Sequence, residues 1–431
     1  MGITRTLRVV SGAVLTGALL FSSAPNAAAD QVRDDQWVLK SLDTESIWKT
    51  TKGKGQTVAV IDDGVNPNHP DLKGNVLKGK DFLDGGSAAP KPGDYHGTAM
   101  ASLIAGHGHG PRNAQGVLGL APESKILPIR DYGSGGKGDG ASIRYAVDHG
   151  ATVVNISQGG TSSSQEEAEA VAYALKKNVL VVAAPGNSAG PVEYPAAYPG
   201  AVAVTAVGES GTLWPKSSHG PKTMLSAPGA KIVHAGGPSN LNGYGIGSGT
   251  SDSAAYVSAT AALLKAKYPD LSAGQIVNRL TKTAEMPASE KGAKLPDERY
   301  GYGSIRPLAA LQNDIPKGSK YGPLSVPQQL KNEEKVAEKE RESQAQQEQA
   351  DREFVIIWSV IGVMALLLVV GIVLLVARSR RKKNRTNGPG GPGMPGGGYP
   401  YPPGPGYGQP PHQQQPYAPQ PTAPPQQPPY N

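Results

Sequence analysis

The chain has 431 residues, 38% of them hydrophobic, with 42 Lys plus Arg against 35 Asp plus Glu and no cysteine, so it can build a sizeable core but no disulfide. No acidic residue precedes Asp30 or follows Glu353, and eight of the basic residues lie beyond those limits, two near the N-terminus and six after the last acidic residue, leaving 34 basic against 35 acidic between them. The formal net charge of +7 is thus a matter of the two ends, and it gives no support to nucleic-acid binding.

Residues 1–29 carry Arg5 and Arg8, an apolar stretch over 9–21 and Ala27-Ala28-Ala29, the pattern of a secretory signal peptide with an A-x-A cleavage site. Residues 30–315 are expected to form the globular domain. Within it, five short β-branched runs at 57–61, 125–129, 152–156, 179–184 and 201–207 read as strands, and 142–148 and 165–176 as helices between them. That alternation predicts a mostly parallel sheet with helices on both faces, a three-layer α/β/α domain. Pro128 donates no ladder hydrogen bond, so a bulge or strand end is expected there. His107 and His109 have no ligand cluster nearby and read as loop residues, so no metal site is assigned. Residues 253–267 are dense in Ala and Leu with small residues on every face, which predicts a buried central helix.

Residues 316–353 read as a charged stalk, its 327–353 portion a solvated helix with i,i+4 charge pairs and no sustained a/d seam. Residues 354–377 are 24 uncharged, mostly apolar residues. As a helix they would reach about 36 Å, enough to cross a hydrocarbon core of about 30 Å, so a single transmembrane helix is expected. Arg378, Arg380, Arg381, Lys382, Lys383 and Arg385 follow directly, and the positive-inside rule puts them in the cytoplasm and the globule outside. Residues 378–431 would be the cytoplasmic tail, basic at first and then Pro/Gly/Gln-rich, a composition that cannot bury a core and should be disordered.

Three motifs in the globule carry chemistry: Val58-Ala59-Val60-Ile61-Asp62, His96-Gly97-Thr98 and Gly249-Thr250-Ser251. A serine hydroxyl needs a base to take its proton as it attacks a carbonyl, and imidazole is the side chain best matched to that task. The imidazole in turn needs a carboxylate to hold its tautomer and stabilise its cation. Asp63 competes with Asp62 for that part, but neighbours in a strand point to opposite faces, so only one can meet His96.

The order Asp, His, Ser is that of subtilisin, and with these motifs the chain resembles the subtilisin-like serine proteases over about residues 57–311. The resemblance favours Asp62 as the acid and implies Asp62, His96 and Ser251 as the catalytic residues. It implies Asn187, in Ala183-Ala184-Pro185-Gly186-Asn187, as the oxyanion donor, a role typically worth about 2.7–4 kcal/mol. It also implies that Ser157, Gln158 and Gly159 line the primary specificity pocket, and that Gly133, Ser134 and Gly135 pair with extended substrate. The chain departs from the family after the nucleophile, where Asp252 stands in place of Met or Phe and Ala255 in place of Pro. Two readings of Asp252 stay open: a tolerated carboxylate at a helix N-terminus, or a charge that re-tunes acyl transfer.

Only 32 residues separate the expected cleavage site from Asp62, too few for a large folded propeptide. Asp35-Gln36-Trp37, Gly53-Lys54-Gly55, Tyr256-Val257-Ser258 and the C-terminal anchor resemble the mycosins, membrane-anchored subtilisin-like proteases of type VII secretion. The resemblance implies an extracellular, membrane-anchored serine endopeptidase that takes protein or peptide substrates and has secretion-system membrane proteins as partners. The alternative it leaves is a structural component of such a complex with dispensable proteolysis. The chemistry requires no cofactor; the resemblance leaves calcium open, without a family calcium site mapped onto this chain.

Overall fold

Strand β1 (Thr57–Asp62) runs between β5 (Lys125–Arg130) and β6 (Val153–Ile156), parallel to both. Val58 and Val60 pack into one core while Ala59 and Ile61 pack into another. The two-residue period of a strand thus feeds two layers, as a sheet covered on both faces requires. Beyond β6 lie β7 (Leu180–Ala183), β8 (Ala201–Val207) and β9 (Thr223–Pro228), and outside β5 lies β2 (Lys80–Asp81). The sheet has the order β2-β5-β1-β6-β7-β8-β9, parallel throughout. Helices α4 (Asp139–Asp148) and α5 (Gln165–Lys176) cover one face. On the other lie α3 (His96–Ala105), α6 (Thr250–Lys267) and α7 (Ala273–Thr283), joined in one core by residues of α1 (Trp37–Ser41), α2 (Thr44–Thr50) and α8 (Pro307–Gln312). The computed structural model of the chain describes residues 32–132, 139–237 and 242–383, so the expected signal peptide, Gly133, Ser134 and Gly135, and the tail past 383 lie outside the described residues.

The three-layer, parallel expectation agrees with this architecture, with particular differences. The sheet has seven strands rather than five. β2 is two residues long, and β9, Thr-Met-Leu-Ser-Ala-Pro, is too mixed to stand out as a β-branched run. Pro128 makes neither a bulge nor an end: β5 keeps its register against β1 straight through it. Ile126 turns its N–H and carbonyl toward Asn75 and Leu77, and the Arg130 carbonyl accepts from Phe82, so Pro128 faces that same edge. Its missing N–H therefore costs no bond to the central strand, as edge positions allow. His107 is not in a loop, and neither is His109. Both lie on β3 (His107–His109), paired with β4 (Gln115–Leu118), and His109 Nδ1 sits 2.6 Å from Asp71 Oδ1.

Helix α6 begins at Thr250, earlier than expected, and is buried from there to Lys265. α9 (Gln328–Lys383) is one continuous helix of 56 residues. Leu324 and Leu330 are buried in the core, so the charged stretch starts against the globule rather than clear of it. Side-chain bonds along α9 join Gln328 to Asn332 and Gln349 to Glu353, and Glu333 and Glu334 pair with Lys176 and Lys320. The chain divides into two units, one ending at Ser343 and one beginning at Gln344. The second contains the apolar run, and α9 is long and apolar enough to cross a membrane.

Candidate active site

In a parallel sheet, ligands bind beyond the carboxyl ends of the strands where the strand order reverses. β1 is that point here, since the chain places β5 on one side of it and β6 on the other. Asp62, the last residue of β1, is fully buried, and its Oδ1 accepts from the backbone N–H of Asp63 at 2.8 Å. Its two oxygens lie 2.8 and 3.0 Å from His96 Nδ1. A proton on Nδ1 donates to the carboxylate, which leaves Nε2 as the acceptor. The His96 side chain keeps 36% of its surface exposed and borders the cleft.

Asp63 takes a different part. Its oxygens accept the backbone N–H groups of His96 (2.9 Å) and Gly97 (2.7 Å), the first residues of α3. One carboxylate therefore holds the ring, and its neighbour caps the helix that carries the ring. Burial pushes Asp63 up to about 6, helped by the Asp62 charge and opposed by the two amides. Gly97 makes this approach feasible, because a Cβ there would lie 2.4 Å from the Gly64 carbonyl and 2.9 Å from Asp62 Cβ.

Ser251 is the second residue of α6 and is nearly buried. Its Oγ donates to the Ser157 carbonyl at 3.0 Å, and Ser157 Oγ donates back to the Ser251 carbonyl at 3.4 Å. In this rotamer Ser251 makes no hydrogen bond to His96, although both line one cleft of about 810 Å³. Serine rotamers exchange readily, and contacts of this kind tighten when substrate binds. Asn187 Oδ1 accepts from the N–H and the Oγ1 of Thr250, both at 2.9 Å. A backbone N–H can only donate, so the amide orientation is set and Nδ2 is left as a donor in the cleft wall.

Asp252 follows the serine into α6. It is buried, lines the cleft, and its Oδ1 has no hydrogen-bond partner among the described residues. Burial pushes its carboxyl up to about 7, against the pull of the His96 charge. For His96, burial alone would lower the imidazole, but the charge and hydrogen bond of Asp62, then Asp252 and Asp63, outweigh it and raise it to about 9.

His96, Ser157, Gln158, Gly159, Asn187 and Ser251 all border this cleft, with Asp62 behind His96. Gln158 Nε2 is tied to the Asp131 carbonyl at 2.6 Å. Sequence reasoning missed three contributors: the capping role of Asp63, Glu193 in the cleft wall, and the hairpin of β10 (Ile232–Ala235) and β11 (Tyr244–Gly247), which puts the exposed Ile246 at the cleft. The Asp pair after β1 was visible as a competition, whereas Glu193 sits in a Pro- and Tyr-rich loop with no motif around it. Among the described residues, no group of three or more His, Cys, Asp or Glu side chains is placed to hold a metal ion.

The model of the subtilase family matches residues 53–303. Thermitase of Thermoactinomyces vulgaris is 35% identical over 234 residues, which is 53% of this chain and 81% of thermitase. Of three further curated relatives the chain spans 55%, 45% and 41% of the length. Among solved structures, MycP1 from Mycobacterium smegmatis superposes with a TM-score of 0.57 at 30% identity, covering 67% of this chain and 87% of MycP1. Another MycP1 structure, described as a serine protease and an essential component of the type VII (ESX-1) secretion system, superposes with a TM-score of 0.55 at 29% identity, covering 64% and 88%.

Proposed function

Given that this chain belongs to the subtilase family and is a subtilisin-like serine endopeptidase, we propose that it cleaves proteins outside a membrane to which its C-terminal helix anchors it. The observation that carries the chemistry is the Asp62–His96 pair opening on the same cleft as Ser251 and Asn187. Ser251 Oγ attacks the scissile carbonyl while His96 Nε2 takes its proton. Asp62 stabilises the imidazolium, and Asn187 Nδ2, with the Ser251 N–H, donates to the oxyanion. His96 then protonates the leaving amine, and water repeats the sequence on the acyl ester. Ser157, Gln158 and Gly159 border the cleft and would pair with the peptide as an added strand, a part the family resemblance also gives to Gly133, Ser134 and Gly135.

Treating the full-length chain with a fluorophosphonate probe tests this reading. Wild type should be labelled and should hydrolyse peptides, and Ser251→Ala should lose both while keeping its circular dichroism. Labelling that survives Ser251→Ala would remove Ser251 from the mechanism.

The membrane reading is supported by the exposed apolar run 354–377 and the six basic residues behind it. A secretion-system partner is supported by the likeness to MycP1. That likeness also favours a second reading, in which the chain is chiefly a structural component of a secretion complex. Secretion that persists in Ser251→Ala but fails on deletion of the chain would favour the structural part over proteolysis.

A further inference from the structure

The loop after β7 returns to the cleft at Glu193. The backbone N–H of Glu193 donates to the Pro185 carbonyl at 2.9 Å, and Tyr194 exchanges two backbone hydrogen bonds with Gly160, each 2.9 Å. These tethers hold the Glu193 side chain between the segment carrying Ser157 and Gly159 and the segment carrying Asn187. The fit is close. A Cβ on Gly186 would lie 2.6 Å from Glu193 Cδ and Oε1, and one on Gly159 would lie 3.2 Å from Oε2. At that level both walls are bare backbone, so a long unbranched side chain can lie between them.

The Glu193 carboxylate is half-buried and has no hydrogen-bond or ion-pair partner among the described residues. Among the described residues, no Lys or Arg borders the cleft either. A carboxylate drawn partly out of water without a counter-charge is unfavourable until a cation joins it. Position narrows the cation's source. The carbonyl that Ser251 attacks lies between Ser251 and Asn187, and the crevice beside them, bounded by Ser157–Gly159 and Gly186, is where Glu193 stands.

We propose that Glu193 is the specificity-determining residue of the enzyme, selecting substrates with Lys or Arg on the acyl side of the scissile bond. The inference rests on the reading of Ser251 as nucleophile and Asn187 as oxyanion donor. The basic side chain enters the crevice from the cleft, and its ammonium or guanidinium donates charge-assisted hydrogen bonds to Oε1 and Oε2 of Glu193, which stands between the glycine walls.

The test uses the full-length chain in detergent and a panel of peptide substrates that differ only at the residue before the scissile bond: Arg, Lys, Leu, Phe or Glu. Arg and Lys should exceed Leu in kcat/KM by about tenfold or more. Glu193→Gln should lower the Arg-to-Leu ratio by about tenfold, Glu193→Asp should keep a preference for the basic residues, and Glu193→Lys should favour Glu. A wild type that prefers Leu or Phe overturns the proposal, as does an Arg-to-Leu ratio unchanged in Glu193→Gln. The wild-type panel decides by itself should a variant fail to fold. Fluorophosphonate labelling separates the two levels: a labelled enzyme that prefers Leu overturns the specificity alone, whereas no labelling of wild type overturns the hydrolytic reading and the specificity with it.

Discussion

Around His96, one carboxylate is bonded to the imidazole and two more act on it through their charge. In the proposed mechanism His96 must be neutral to take a proton from Ser251, yet Asp62, Asp252 and Asp63 together raise it to about 9 against the effect of burial. Below that pH the ring is mostly a cation and cannot act as a base, so kcat/KM should climb with pH toward the alkaline range. Asp252 favours the cation only while it is itself an anion, so removing its charge must lower the pKa of His96. Asp252→Asn should therefore move the acid limb of the kcat/KM profile downward by roughly one unit. A profile measured from about pH 5 to about pH 10 decides it, and a limb that stays in place would mean that Asp252 acts on His96 neither as charge nor as neighbour. In the sequence Asp252 was visible only as a departure from a pattern. Its orphaned Oδ1 depends on how α6 enters the cleft, which no local motif encodes. Glu193 was less visible still, because its place depends on a loop closing against Gly160 and Pro185 across the cleft.

Helix α3 shows how one element turns sequence neighbours into different devices. Its first amides have no intrahelical partners, and Asp63, one residue past the end of β1, accepts two of them. Asp63→Ala should cost about 0.5–2 kcal/mol as a lost cap. Because the freed helix start carries His96, the same substitution should also lower kcat, with chemical denaturation and steady-state kinetics reading the two effects. Unchanged kcat in a destabilised variant would make Asp63 a cap and nothing more. The alternation of Val58 and Val60 with Ala59 and Ile61 is the kind of pattern a sequence displays openly, and the five strands read from such runs all belong to the central sheet. β2 and β9 were illegible because they sit at the sheet edges, where two residues suffice for one and Thr, Ser and Pro are tolerated in the other. Pro128 misled for a related reason: its ring faces a side of β5 where an edge segment, not a central strand, supplies the bonds.

At the scale of the whole molecule, the unit beginning at Gln344 carries surface that water does not favour. Leu366, Leu368 and Leu375 of α9 are each at least 64% exposed. At roughly 25 cal/mol per Å² of apolar surface, a run of such residues is stable only with lipid or another apolar partner around it. The run ends at six basic residues within 378–385, and each is costly to carry across a bilayer. The two facts together predict a single orientation. The chain contains no cysteine, so one introduced thiol reports its own side of the membrane without background. Ser325 and Ser379 are exposed and flank the apolar run. In intact cells a membrane-impermeant maleimide should label Ser325→Cys, and it should reach Ser379→Cys only after permeabilisation. Replacing the six basic residues by Gln removes the charge asymmetry, so a fraction of chains should then show the reverse pattern. Labelling of Ser379→Cys alone in intact cells would place the cleft in the cytoplasm and remove exported proteins from its reach, while labelling of both sites without permeabilisation would mean that α9 lies on the membrane instead of crossing it.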